Sequence, residues 1–138
     1  MEIKNYSRPV NYYETDKMGI VHHSNYIRYF EETRIYAMAQ MGCSVEMFED
    51  LGLIIPNVDA YAKYLVPLRF GDRFSVKAKI TEFNGVKFVL EYELFNQNNV
   101  LCATGHTTHC FANENLRPVS IKRTHKELFE IFKNQIEK

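Results

Sequence analysis

Tryptophan is absent from this chain, and cysteine, proline and glycine are scarce, at three, four and six residues. So little glycine and proline excludes a collagenous or low-complexity chain. The odd number of cysteines (Cys43, Cys102 and Cys110) and their spacing exclude a disulfide framework and predict reduced thiols in a cytoplasmic protein. An excess of one charge is also missing: 17 lysines and arginines balance 17 aspartates and glutamates, so no basic field recruits nucleic acid or an anionic membrane. No apolar run approaches the roughly 18 residues of a membrane span, and no cationic leader precedes an apolar segment. The chain therefore reads as soluble, without integral membrane association. There is no Gly-x-Ser-x-Gly elbow, no phosphate-binding Gly-x-x-x-x-Gly-Lys and no dinucleotide fingerprint. His106 and His109 make no zinc spacing with any cysteine, so neither a metal nor a cofactor is expected.

What is present is a patterned chain of 138 residues, the length of one domain, read here as residues 1–138. Residues 3–13 read as a strand interrupted by Pro9, and Ser24 as the N-cap of a helix. From Tyr26, apolar or small residues (Tyr29, Phe30, Thr33, Ala37, Met38, Met41) recur at helical intervals up to a stop at Gly42. Glu31 and Arg34 are spaced to pair on its surface. Residues 43–57 look irregular or briefly helical. The period then changes to two, giving strands near 58–66, 74–81, 86–94 and 100–111, with Asn84-Gly85 as a hairpin turn. Short connections predict an antiparallel meander of these four, and Thr124-His125-Lys126-Glu127 has the capping-box pattern before a short C-terminal helix. An α+β domain follows, its sheet wrapping the long helix.

The chemistry concentrates in Tyr12–Arg34, where a turn carrying Asp16 and Gly19 passes His22 and His23 into the helix. A carboxylate and an imidazole near a helix start can activate water; equally, Asp16 can tie the turn through its own backbone, and the histidines can be surface or capping groups.

The run Tyr13-Glu14-Thr15-Asp16-Lys17-Met18-Gly19-Ile20-Val21-His22-His23-Ser24-Asn25-Tyr26, then Tyr29-Phe30-Glu31 and Arg34, resembles the hotdog-fold acyl-CoA thioesterases. The class is that of 4-hydroxybenzoyl-CoA thioesterase, including the enzymes associated with the Tol-Pal system. Tyr64–Asp72 resembles the strand-to-turn segment of the same family. The resemblance implies a hotdog fold: a five-stranded antiparallel sheet around a long central helix, with a short C-terminal helix. It implies homodimers with one continuous sheet, pairing into homotetramers, and active sites at the dimer interface.

Asp16 matches the catalytic carboxylate of that family, acting as general base or as nucleophile, with His23 and Tyr13 as assisting groups. His22 is a weaker match, and Glu31 reads as structural. Oxyanion donors would be backbone amides, around Ser24 and Asn25 or in residues 57–60 of the partner subunit. Arg69, Lys63, Lys87 and Arg117 are the cations considered for the CoA phosphates. The expected activity is hydrolysis of an acyl-CoA thioester, with CoA as part of the substrate. The alternatives are an acyl-ACP thioesterase and a non-catalytic acyl-CoA-binding hotdog protein.

Overall fold

The computed structural model describes residues 2–136. Strand β1 (Tyr6–Pro9) leads through a 3₁₀ turn (Tyr12–Glu14) to helix α1 (Ser24–Gln40) and the short helix α2 (Val45–Asp50). Strands β2 (Asn57–Tyr64), β3 (Arg73–Phe83), β4 (Lys87–Phe95) and β5 (Leu101–Cys110) follow, then helices α3 (Ile121–Thr124) and α4 (Lys126–Ile136). They form one five-stranded antiparallel sheet in the order β1-β3-β4-β5-β2. The α+β, helix-wrapping architecture expected above is what the chain adopts, and no described helix is long and apolar enough to cross a membrane.

Alternation builds the inner face of the sheet. Phe74, Val76 and Ile80 of β3 and Phe88, Leu90, Tyr92 and Leu94 of β4 are buried beneath α1, which answers with Tyr26, Tyr29, Phe30, Ala37 and Met38. Phe30 stacks on Tyr92 at 4.4 Å between centroids, and Tyr29 on Phe74 at 4.2 Å. Gly105 on β5 makes room for this contact, since a Cβ there would overlap the Tyr61 carbonyl and lie 2.5 Å from a Phe30 ring carbon. At the far end of the sheet Phe132 of α4 closes the core against Phe83, Phe88 and Phe111.

Several local expectations need correction. The first strand is only four residues long, because the chain bends at Asn11, whose amide donates to the Glu14 carboxylate at 2.8 Å. Strand β2 does not join a four-strand meander: it crosses to the far edge and pairs with β5. Its exit, residues 65–72, passes the start of α1, where buried Leu68 accepts the Val21 amide at 2.8 Å. Alternation marks a strand, but not its neighbour. Asn84 does not take a positive φ; only Gly85 does, and Asn84 turns the hairpin by accepting the Val86 and Lys87 amides on its side chain. Ser24 lies inside α1, whose N-cap position is His23, and Nδ1 of His22 accepts the Ser24 amide at 3.2 Å. Thr124 ends α3 by donating to the Ser120 carbonyl, so no helix starts on it.

Glu31 makes no ion pair with Arg34, which instead turns its guanidinium toward Met38, Nη1 to Sδ 3.9 Å. Arg34 contributes to the field around His109, 1% exposed on the inner face of β5. Burial, then Arg34, push the His109 imidazole down to about 4, while Asp59 of β2 and the Ile55 carbonyl pull weakly the other way. Its Nε2 pairs with the Thr107 hydroxyl at 2.8 Å, and Thr107 with Tyr92 at 2.7 Å. A histidine kept neutral in the fold binds its proton only on unfolding, so stability falls as pH drops from about 6.5 toward 4. Chemical denaturation of His109→Gln across this range is expected to show that slope much reduced.

Candidate active site

The chain from Thr15 to Val21 is a tight hairpin. The Asp16 amide donates to the Ile20 carbonyl at 2.9 Å, the Asp16 carbonyl accepts the Gly19 amide at 2.9 Å, and Gly19 sits at φ +80°. One carboxylate oxygen of Asp16 is used locally: Oδ1 accepts the Met18 amide at 2.8 Å. Oδ2 takes no hydrogen bond from any described residue. Asp16 therefore both ties its turn and leaves a lone-pair-bearing oxygen free.

That oxygen belongs to a residue lining a cleft of about 240 Å³ at the start of α1. Met18, Ile20, Val21, Val66 and Pro67 make it mostly apolar, and His23, Tyr26 and Tyr64 add aromatic walls. The Tyr26 and Tyr64 rings meet edge-on at 4.9 Å. Burial pushes the Tyr26 phenol up to about 12, so it stays neutral. The His23 ring lies against His22 in a tilted pair at 4.1 Å between centroids and meets the edge of Tyr64 at 6.4 Å.

The amides at the helix start are mostly spent. Those of Ser24, Asn25 and Tyr26 go to Nδ1 of His22, the His22 carbonyl and the His23 carbonyl, and the His22 amide to the Glu14 carbonyl. The His23 N–H has no acceptor among the described residues, which leaves it, and not Ser24 or Asn25, as the open donor at this helix start.

The remaining sequence candidates fall at different places. Tyr13 is 81% exposed and accepts a hydrogen bond from the Asn11 side chain, outside the cleft lining. Arg69 bridges to Ile20, and its guanidinium lies beside Gly19, at the Asp16 turn. Lys63 is exposed on β2 next to Tyr64, and consecutive strand residues face opposite sides of a sheet, so it lies on the outer face. Lys87 pairs opposite Cys110 at the other end of the sheet, in a separate groove with Asn84 and Ile136. Arg117 lies in the exposed loop after β5, its amide on the Asn113 side chain. His106 and His109 are on opposite faces of β5, His106 stacking on Tyr61 and lying 3.6 Å from Asp59.

Beneath the turn lies a network not foreseen from the sequence. Glu14, only 4% exposed, receives Arg8 Nη2 at 2.7 Å and Nη1 at 3.1 Å, the Tyr29 hydroxyl at 3.0 Å and the Asn11 amide at 2.8 Å. Burial by itself would raise the Glu14 carboxyl, but the bonds from Arg8, Asn11 and Tyr29 outweigh it and hold it below the usual glutamate value. Arg8 also grips Glu32 of α1 and lies over the Tyr29 ring at 5.0 Å. The visible signal was Asn11-x-x-Glu14, a capping-box spacing at the one bend in this segment.

Comparison with known proteins gives a coherent set. The family described as the thioesterase-like superfamily matches residues 10–129. A 1,4-dihydroxy-2-naphthoyl-CoA hydrolase of Thermosynechococcus vestitus is 32% identical over 108 residues, 78% of this chain and 74% of that enzyme. A DHNA-CoA thioesterase of Staphylococcus aureus superposes with a TM-score of 0.92 at 27% identity, over 97% of this chain and 91% of that one. An Aquifex aeolicus protein of known crystal structure gives 0.86 at 37% identity, over 94% and 98%.

Proposed function

The chain belongs to the thioesterase-like superfamily, and from that premise we propose that it hydrolyses acyl-CoA thioesters to free acid and CoA, with Asp16 as general base or nucleophile. One observation carries the assignment of roles: Asp16, with one carboxylate oxygen unengaged, and His23, with its backbone N–H unengaged among the described residues, line the same apolar cleft. An acyl group in the cleft presents its carbonyl carbon to Asp16, or to a water Asp16 deprotonates. The developing oxyanion takes the His23 amide at the positive end of α1. The carbonyl carbon to sulfur bond breaks and the CoA thiolate leaves. In the nucleophilic route a mixed anhydride forms on Asp16 and water then cleaves it. Thioester and water balance the reaction without a cofactor.

Within the superfamily we assign the chain to the 4-hydroxybenzoyl-CoA thioesterase class, on the strength of the Tyr13–Tyr26 run. The His23 ring orients water or substrate at the cleft wall. Arg69, beside the Asp16 turn, is the favoured cation for the CoA phosphates; Lys63 is on the outer face of β2 and Lys87 at the other end of the sheet. The working unit in this reading is a homodimer, further paired into a tetramer. Edge strand β2 is exposed nearly throughout, with Val58 and Tyr61 half exposed, an edge that a second copy would cover by continuing the sheet.

A thiol-release screen over acyl-CoAs and acyl-ACPs of varied acyl group tests the assignment. Release from one or more acyl-CoAs is expected. Release from acyl-ACP alone would move the substrate to the carrier protein, and binding of acyl-CoA without thiol release would overturn the enzymatic reading.

A further inference from the structure

The two groups assigned to the chemistry sit on one short hairpin, Asp16 near its tip and His23 just past its end. Their separation is only as well defined as that hairpin's seat on α1. Within the loop, the bonds of Asp16 close on Met18, Gly19 and Ile20, so they do not bind the loop to the helix. Glu14 does. Its carbonyl accepts the His22 amide at 2.8 Å, closing the hairpin, and the Asn25 side-chain amide at 2.9 Å, fastening it to the first turn of α1. Its carboxylate is gripped by Arg8 from β1 and by Tyr29 from the next turn of α1. Strand, hairpin and helix thus meet at one buried residue, two before Asp16: its carbonyl holds the hairpin and Asn25, its carboxylate holds Arg8 and Tyr29.

From this convergence, and resting on the catalytic roles given above, we propose that Glu14 is a positioning residue, which sets the distance between the Asp16 carboxylate and the His23 amide. A buried ion pair adds little net stability compared with an apolar pair of the same shape. The two-pronged Arg8–Glu14 contact does, however, fix direction as well as distance. Catalysis is sensitive to that: a misplacement of about 1 Å far from the reacting atoms can lower turnover by on the order of 10²-fold. Glu14 is not among the residues that line the cleft, so its effect on turnover runs through the geometry of the hairpin.

The test compares Glu14→Gln, Tyr29→Phe and Asn25→Ala with Phe132→Leu, a core change at the far end of the sheet, in the purified full chain. Melting temperatures are measured first, and kinetics are read where every variant is folded. Each of the first group is expected to lower kcat, Glu14→Gln by roughly tenfold or more, with KM little changed, whereas Phe132→Leu loses melting temperature and keeps kcat. The decisive measurement is Glu14→Gln made in the Asp16→Asn background. A positioning residue acting through Asp16 costs nothing further there, because the group it positions is gone. Where Glu14→Gln fails to fold, Tyr29→Phe and Asn25→Ala are combined with Asp16→Asn instead. Unchanged kcat in the folded variants, or an equal fall in both backgrounds, overturns the positioning role alone. Near-normal turnover in Asp16→Asn overturns the catalytic reading itself, and the positioning role with it.

Discussion

Asp16→Asn is expected to lose turnover by on the order of 10²–10⁴-fold, the range over which a positioned acid–base group acts. The substitution isolates the charge. Asparagine keeps an Oδ1 able to accept the Met18 amide, now made at 2.8 Å, and tolerates the same turn, so the hairpin and the melting temperature should hold. What disappears is the anionic oxygen, and with it both the general base and the nucleophile. Steady-state thiol release together with acyl-CoA affinity checks the prediction: kcat falls while binding is retained. The two routes then separate in wild-type protein. A single turnover in ¹⁸O-water labels the Asp16 carboxylate if an anhydride forms and is hydrolysed at the aspartyl carbonyl, and leaves it unlabelled if Asp16 only takes a proton from water. Turnover within a few-fold of wild type in Asp16→Asn would remove Asp16 from the reaction.

The part of this site that the sequence displayed is the part made by local interactions. Asp16, Gly19 and the start of α1 are neighbours along the chain, and turn propensity and helical period are enough to bring them together. The buried stripe Tyr26, Tyr29, Phe30, Thr33, Ala37 and Met38 was legible for the same reason, because one helix face must enter the core. Long-range partners were not legible. Tyr64 and Val66 complete the cleft only because β2 crosses to the edge beside β5, and nothing in its alternation states that destination. Arg34 illustrates the same limit from the other side: its spacing from Glu31 fits a surface pair, yet the favourable place for its long stem is the layer between α1 and Tyr92. The engagement of the Ser24 amide by the His22 ring depends on a rotamer that no pattern of residue types specifies.

Arg8→Ala is expected to be the most destabilising single change in this region. It strands the Glu14 carboxylate, whose side chain is 5% exposed, and breaking one side of a buried ion pair costs about 3–5 kcal/mol. For a domain of this size that corresponds to a melting temperature lower by about 10–20 °C. The pH dependence identifies the cause. In the wild-type fold Glu14 titrates below its ordinary value, so its contribution is fully present at neutral pH and is lost as pH falls through that lowered value. In Arg8→Ala burial remains and the largest opposing bond is gone, so Glu14 titrates above the unfolded value of about 4.3, and its charge destabilises the fold at neutral pH. Acidification toward pH 4 protonates the stranded group and relieves it. The stability gap between wild type and Arg8→Ala should therefore be widest near pH 7 and narrow toward pH 4. Adding Glu14→Gln to Arg8→Ala should recover part of the loss at pH 7, because the stranded charge is then absent. A gap that stays constant from pH 7 to pH 4 would mean that Arg8 stabilises through its stacking on Tyr29 and Phe74, and not through Glu14.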